Sequence, residues 1–345
     1  MSTHNGARFA VGMDVGFGNL KTCWGDGELM YPARTKSEGA AHRGDSHRLN
    51  RKEHTLDEVR VTVDGQTYLV GPDTHLHTWE PMVADDFCNR PGYKAQVIGG
   101  LYYMFRKTGV LRRTIPVLVL GLPVSTFKIH RDQLLDQYQH KALTVPVPSS
   151  LQGTYGREVM VRVEEVNILP QPVGSLIAWS VDEGQDRSRE IQDDRNNLTI
   201  DPGARTFDWY ASRGTKPVYD ESGAIPGGVT SIVYSLADYM TKALGTYIDY
   251  RTAEMCLSRQ QLSVVGLGSV DMQPFHVRAK ELVDEMVDGF MNRIRSSTFD
   301  NVLLTGGGLG LFEEALRKRF PPDDIRKVSN PIMANARGYY RWGIS

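Results

Sequence analysis

Asp14-Val-Gly16-Phe-Gly18-Asn19-Leu-Lys21 puts a carboxylate, two glycines and an ammonium within one turn, a combination suited to polyphosphate and its metal. Glycine carries no side chain and accepts positive φ, so backbone N–H groups at such a turn can approach an anion closely. Lys21 adds a point charge for phosphate, and Asp14 suits Mg²⁺, directly or through water. A plain hairpin with a surface lysine fits these letters equally well. Asp201-Pro-Gly203-Ala204-Arg205-Thr206-Phe207-Asp208 repeats the device: a strand ending in Asp, a glycine turn, and a return through Thr206, Phe207 and Trp209. Taken alone, Asp-Pro-Gly is an ordinary turn signal.

Two further segments belong to the same chemistry. Thr305-Gly306-Gly307-Gly308 lies between the apolar run Asn301 to Leu304 and a helix starting near Leu309, which brings backbone close to a flat ligand or to a helix N-terminus. Gln171 stands between a strand and a helix, where an amide can orient an attacking water, or simply bond to backbone at the helix entry. Ile225-Pro-Gly-Gly228 reads as either an anion or ribose contact at a helix start or a plain helix entry. His75 and His77 lack partners at metal-site spacing and read as a surface loop, and Asp85-Asp86 and Asp193-Asp194 as solvated charges.

The elements that must carry these residues follow from periodicity. Phe9 to Asp14 and Leu20 to Trp24 form the first hairpin, and the polar stretch Lys36 to Glu58 reads as a mobile loop or the edge of a small subdomain. A helix over Tyr93 to Thr108, capped by Gly109, feeds a buried strand over Ile115 to Leu120. A strand over Val159 to Ile168 precedes a helix with Pro172 in its first turn and Val173, Leu176 and Ile177 on one face. The polar run Asp182 to Asn197 marks a domain boundary. Beyond it the grammar recurs: a hairpin over Leu198 to Ala211, a long helix over Phe275 to Ser296, then strand and helix. The duplication is read from element order alone.

At 345 residues the chain exceeds one ordinary core, which predicts two domains. Forty basic against forty-one acidic residues exclude a global field toward nucleic acid or anionic membrane, so contact with DNA is expected to be indirect. The longest apolar run, Ile115 to Val124, is broken by Pro123 and falls short of the roughly 20 residues that span a bilayer. The polar start, Met1 to Arg8, lacks a secretory pattern, and the chain is expected in the cytoplasm. Cys23, Cys88 and Cys256 fit neither a disulfide framework nor a zinc site and read as buried or free thiols.

Together with Gln171-Pro-x-x-Ser-Leu and Pro331-x-x-Ala334-Asn335-Ala336-Arg337-Gly338, these segments resemble, in order, the phosphate 1, connect 1, phosphate 2, adenosine and connect 2 motifs of the actin, Hsp70 and sugar kinase superfamily. Within it the chain is most similar to bacterial plasmid-segregation actins of the ParM and StbA type. The resemblance implies a two-domain α/β, actin-like fold of duplicated RNase H-like halves with an interdomain nucleotide cleft. Domain I would take residues 1–181 and 331–345, with a small subdomain near 31–95, and domain II residues 182–330. It implies ATP, with GTP the other candidate, and Mg²⁺ near Asp14 and Asp201. The nucleotide would meet Gly16, Phe17, Gly18, Asn19, Lys21, Gly203, Ala204, Arg205 and Thr206, with adenosine against Gly306, Gly307 and Gly308. Catalysis would rest on Gln171, Asp201 and Asp14. Gln171 departs from the acidic residue of some plasmid actins, and Ala204 and Arg205 replace a glycine and a small residue. The partners implied are further copies of the chain in a filament and a DNA-binding adaptor on a plasmid centromere. A small-molecule kinase of the superfamily and a nucleotide-binding scaffold with negligible turnover are the competing expectations.

Overall fold

The computed structural model describes residues 8–38, 56–76, 86–181, 195–295 and 298–345. Most of the polar stretch after Lys36, together with His77, Asp85, Asp193 and Asp194, therefore lies outside the described residues. The chain divides into two compact units, Met1–Arg187 with Ile332–Ser345, and Ser188–Pro331.

Unit 1 begins with β1 (Ala10–Val15), β2 (Asn19–Trp24), β3 (Gly27–Pro32) and the short β4 (Lys36–Ser37). The hairpin of β5 (Val59–Val63) and β6 (Gln66–Val70) joins β4 in a small sheet. Helix α1 (Pro91–Thr108) follows, and Gly109 closes it in the left-handed conformation at φ 67°, the C-cap expected from the sequence. Next come β7 (Thr114–Leu122), α2 (Val124–Tyr138), β8 (Ala142–Pro146), the single turn α3 (Gln152–Tyr155), β9 (Glu158–Pro170) and α4 (Gln171–Ser180). The main sheet runs β3-β2-β1-β7-β9-β8, with the first hairpin antiparallel and β1, β7 and β9 parallel.

Strand alternation decides what each face of this sheet does. Val11, Met13 and Val15 enter the core shared with α1 and α2, each such side chain contributing about 1.5–3 kcal/mol by burial. Ala10, Gly12 and Asp14 therefore point to the opposite face.

Unit 2 repeats the plan with β10 (Asn196–Pro202), β11 (Thr206–Arg213), β12 (Lys216–Pro217) and β13 (Gly223–Pro226). Helices α5 (Gly228–Leu244) and α6 (Tyr250–Cys256), the hairpin β14 (Gln261–Val264) and β15 (Gly268–Asp271), and the start of α7 (Gln273–Met291) enclose a separate small core. Then follow β16 (Asn301–Leu304), α8 (Leu309–Arg317) and β17 (Ile325–Lys327), in a sheet ordered β12-β11-β10-β16-β17. The helix expected to reach Ser296 stops at Met291, because the Arg293 N–H turns back three residues to the Phe290 carbonyl and tightens the last turn. The final helix, α9 (Ala334–Ile344), returns to unit 1.

The repeat that was not visible in the letters is present in the register. Asp14 pairs with Lys21 and Asp201 with Asp208; Ala10 pairs with Val117 and Asn197 with Asn301; Met13 pairs with Leu120 and Ile200 with Leu304. Both sheets thus place an antiparallel hairpin beside a parallel strand with the same residue-by-residue offset. In both, the carboxylate at the end of the first strand faces the same position of the second.

No helix among the described residues is long and apolar enough to cross a membrane. Cys23, Cys88 and Cys256 are free and buried, and burial pushes each thiol up to about 11, as inert structural thiols require.

Candidate functional site

In unit 1 the pleat brings Asp14 to the face on which α4 and α9 pack, and there it is almost wholly buried. Because antiparallel partners in register point to the same face, Lys21 lies directly across from it. Lys21 Nζ stands 2.8 Å from Asp14 Oδ2. The other carboxylate oxygen, Oδ1, accepts from Gln171 Nε2 at 2.9 Å. β9 ends at Pro170 beside Leu122 of β7, so the first residue of α4 emerges at the level of the hairpin tip. Two side chains, one from across the hairpin and one 157 residues away, therefore converge on one carboxylate. An ionised carboxylate only accepts hydrogen bonds, which fixes the Gln171 amide with nitrogen toward Asp14 and Oε1 turned away from it.

The tip glycines do not take the left-handed conformation. The residues with positive φ include neither Gly16 nor Gly18 nor Gly203, in contrast to the expectation. Instead, the Gly16 N–H donates to Asn19 O at 3.1 Å, and a Cβ on Gly16 would fall 3.4 Å from Lys21 Nζ. Phe17 packs its ring against the unit 1 core, tilted against Phe87 with ring centroids 4.5 Å apart.

Unit 2 carries the matching half. The Gly203 N–H donates to Thr206 O at 2.8 Å, as Gly16 does to Asn19. Asp201 and Asp208 are both buried and face each other in register, where unit 1 has Asp14 and Lys21. Thr206 Oγ1 donates to Asp208 Oδ2. β16 delivers Gly306 against Asp201: the glycine takes φ 91°, and any Cβ there would collide with Asp201 Oδ1. The Gly308 N–H donates to Pro202 O at 2.8 Å, so Gly306–Gly308 and the Asp201 strand end form one structure.

The Ile225–Gly228 segment proves to be a helix entry that buttresses the second tip. Val229 N–H bonds to Gly203 O at 3.0 Å, Thr230 N–H to Ala204 O at 2.7 Å, and Gly227 N–H to Arg205 O. These amides are taken by main-chain carbonyls, so they are not presented to an anion.

The connect 2 stretch folds as α9 and locks the first half. Ser175 Oγ donates to Asn335 Oδ1 at 2.6 Å in a buried contact, and Arg337 pairs with Glu28 at 2.8 Å. Gly12, Gly174 and Gly338 have no room for a side chain where β1, α4 and α9 meet. Sequence reading missed Tyr339, whose buried ring fills this junction and whose hydroxyl donates to Gln171 O at 3.3 Å. Its only signal was the glycine positions in neighbouring elements, which have no meaning until the fold brings them together.

Residues 12–174 match the model of the actin-like protein N-terminal domain, and residues 199–318 match that of the C-terminal domain of archaeal, MreB-like actin homologues. The chain is an actin-like protein. No curated protein matches it in sequence. Among solved structures, the actin-like chain is similar to Ta0583, an archaeal actin homologue, at 18% identity and a TM-score of 0.75 over 97% of this chain and 98% of that one. Ta0583 has also been solved with ADP. A ParM from a 15-stranded filament of Clostridium botulinum is 17% identical, with a TM-score of 0.73 over 98% and 99% of the two chains. The apo pSK41 ParM is likewise 17% identical, with a TM-score of 0.68 over 98% and 97%. At such identity the shared property is the actin-like, two-unit α/β fold.

Proposed function

We propose that this actin-like protein binds ATP with Mg²⁺ through both glycine-tipped hairpins, hydrolyses it, and assembles into filaments that segregate plasmid DNA. The observation that carries the reading is Asp14, buried and held between the Lys21 ammonium and the Gln171 amide at a tip whose plan recurs in unit 2. The donor set suits the metal. Asp14 and Asp201 are hard oxygen donors at matching strand ends, and Mg²⁺ is ordinarily held by one or two carboxylates with waters and phosphate oxygens. When bound, Mg²⁺ would neutralise the charge shared by the β- and γ-phosphate oxygens.

Each residue then has a role set by its position. Lys21 moves its charge from Asp14 to phosphate, and the amides of the two tips other than those of Gly16 and Gly203, which bond to Asn19 O and Thr206 O, cradle oxygens. Gly306 to Gly308, without side chains, accept the flat nucleoside. Gln171 directs its Oε1 to the attacking water, whose oxygen bonds to the γ-phosphorus as the bond to the β-phosphate oxygen breaks, the water's proton passing to the released phosphate. Glutamine orients water but takes no proton, so the step relies on geometry and charge. A cytomotive filament of this kind would engage a DNA-binding adaptor, which suits a chain of near-neutral charge.

Light scattering at 90 degrees, recorded with phosphate release in one cuvette, tests the reading. A rise that requires ATP and Mg²⁺ and decays as phosphate appears is the expected result. Flat scattering combined with phosphate transfer to a small hydroxyl compound would replace it with the kinase.

A further inference from the structure

Tyr339 lies outside both matched family segments, and its surroundings are unusually specific. Its ring is fully buried among three glycines from three different elements. A Cβ on Gly121 of β7 would overlap the hydroxyl, one on Gly174 of α4 would fall 2.6 Å from the ring, and one on Gly12 of β1 would fall 2.8 Å from the Tyr339 Cβ. An aromatic ring caged by backbone on three sides has one available position. That position puts the hydroxyl on the carbonyl of Gln171, the first residue of α4, whose side chain donates to Asp14.

We propose that Tyr339 is a positioning residue for hydrolysis: through the Gln171 carbonyl it fixes the start of α4, and so the direction in which the Gln171 amide reaches. The proposal rests on the reading of Gln171 as the residue that orients water. A carbonyl at a helix start can tilt, and a tilt of the first residue swings its long side chain by far more than it moves the backbone. An outside donor anchored in a rigid cage removes that freedom, and sub-ångström placement is what orientation of a nucleophile requires.

Tyr339→Phe removes the hydroxyl and keeps the ring, so the cage stays filled and the melting temperature should remain near that of the parent chain. In the nucleotide-free protein labelled with ¹⁵N-glutamine, the side-chain amide resonance that disappears in Gln171→Ala should shift toward the solvent-exposed position in Tyr339→Phe. In steady-state hydrolysis Tyr339→Phe should lower kcat roughly three- to tenfold with KM unchanged, and should have no further effect in a Gln171→Ala background. An unmoved resonance, or an equal loss of kcat with and without Gln171, would overturn the proposal. A shifted resonance in a chain that never hydrolyses ATP would uphold the positioning contact and overturn the hydrolytic function instead.

Discussion

The carboxylate of Asp14 serves two partners, and that sharing has a measurable consequence. Lys21 is 14% exposed and Asp14 2%, so drawing the lysine toward phosphate leaves a buried anion uncompensated unless a cation replaces it. If Lys21 turns to phosphate as proposed, nucleotide without Mg²⁺ would bear that cost and nucleotide with Mg²⁺ would avoid it. Asp14→Asn removes the anion, so the ratio of ADP affinities with Mg²⁺ and with EDTA should fall at least ~10-fold relative to the parent chain, a difference of about 1.4 kcal/mol. Titration of a fluorescent ADP under both conditions measures it, and an unchanged ratio would remove Asp14 from the metal site. The types and spacing of these residues were legible in the sequence, because a strand end, a glycine turn and a lysine are local signals. Their meeting with Gln171 was not, since it depends on β9 and β1 flanking β7 in parallel register.

Elements pack where the sequence has provided glycine. α4 and α9 cross so closely that a Cβ on Gly338 would overlap the Gly174 carbonyl, and a main-chain atom cannot move aside as a flexible side chain can. Gly338→Ala is expected to cost about 3 kcal/mol and to lower the urea midpoint accordingly. Gly153→Ala, in the open single turn α3 with nothing near its Cβ, should be neutral or slightly stabilising. A second device ties the entry to β5 onto α1: Arg106 grips Asp57 through both carboxylate oxygens at 2.6 and 2.8 Å, and Tyr103 adds its hydroxyl. The Arg106 hydrogen bonds hold the Asp57 carboxyl below its ordinary range. A depressed folded pKa contributes stability that is present above the unfolded value and is lost as pH falls through the folded one. Asp57→Asn should therefore destabilise by under ~1 kcal/mol at neutral pH, the pair being largely solvent-screened, and the difference should vanish in acid. Unfolding curves across that range test the sign. α1 and its cap were readable from a 3.6-residue period and a glycine. The end of α7 and the β14–β15 hairpin were not, because a tightened last turn and four-residue strands leave little periodicity to detect.

For the whole molecule, the duplicated register provides two hairpins of one design with opposite charge at one position, Lys21 in the first and Asp208 in the second. Between Asp14–Lys21 and Asp201–Asp208 only the first Asp and the glycine two residues on are shared, which concealed the repeat in the letters, while the hydrogen-bond pattern of the sheets preserved it. Under the proposed function the charges would divide the work, Lys21 of the first hairpin meeting phosphate while the carboxylates, Asp14 and Asp201, meet the metal. If one nucleotide with its metal is held by both, amides at Gly16 to Asn19 and at Gly203 to Thr206 should gain protection from hydrogen exchange at the same nucleotide concentration. Both segments should respond to Mg-ATP as a single titration, with stabilisation growing as RT ln(1 + [L]/Kd), about 2.7 kcal/mol at a hundredfold excess over Kd. Withholding Mg²⁺ should weaken protection at both segments together, since the carboxylates of the second hairpin repel phosphate unless a cation intervenes. Protection confined to the first hairpin, or two titrations with separate midpoints, would mean that the repeated architecture binds nucleotide through one unit alone, and the two-hairpin grip would have to be abandoned.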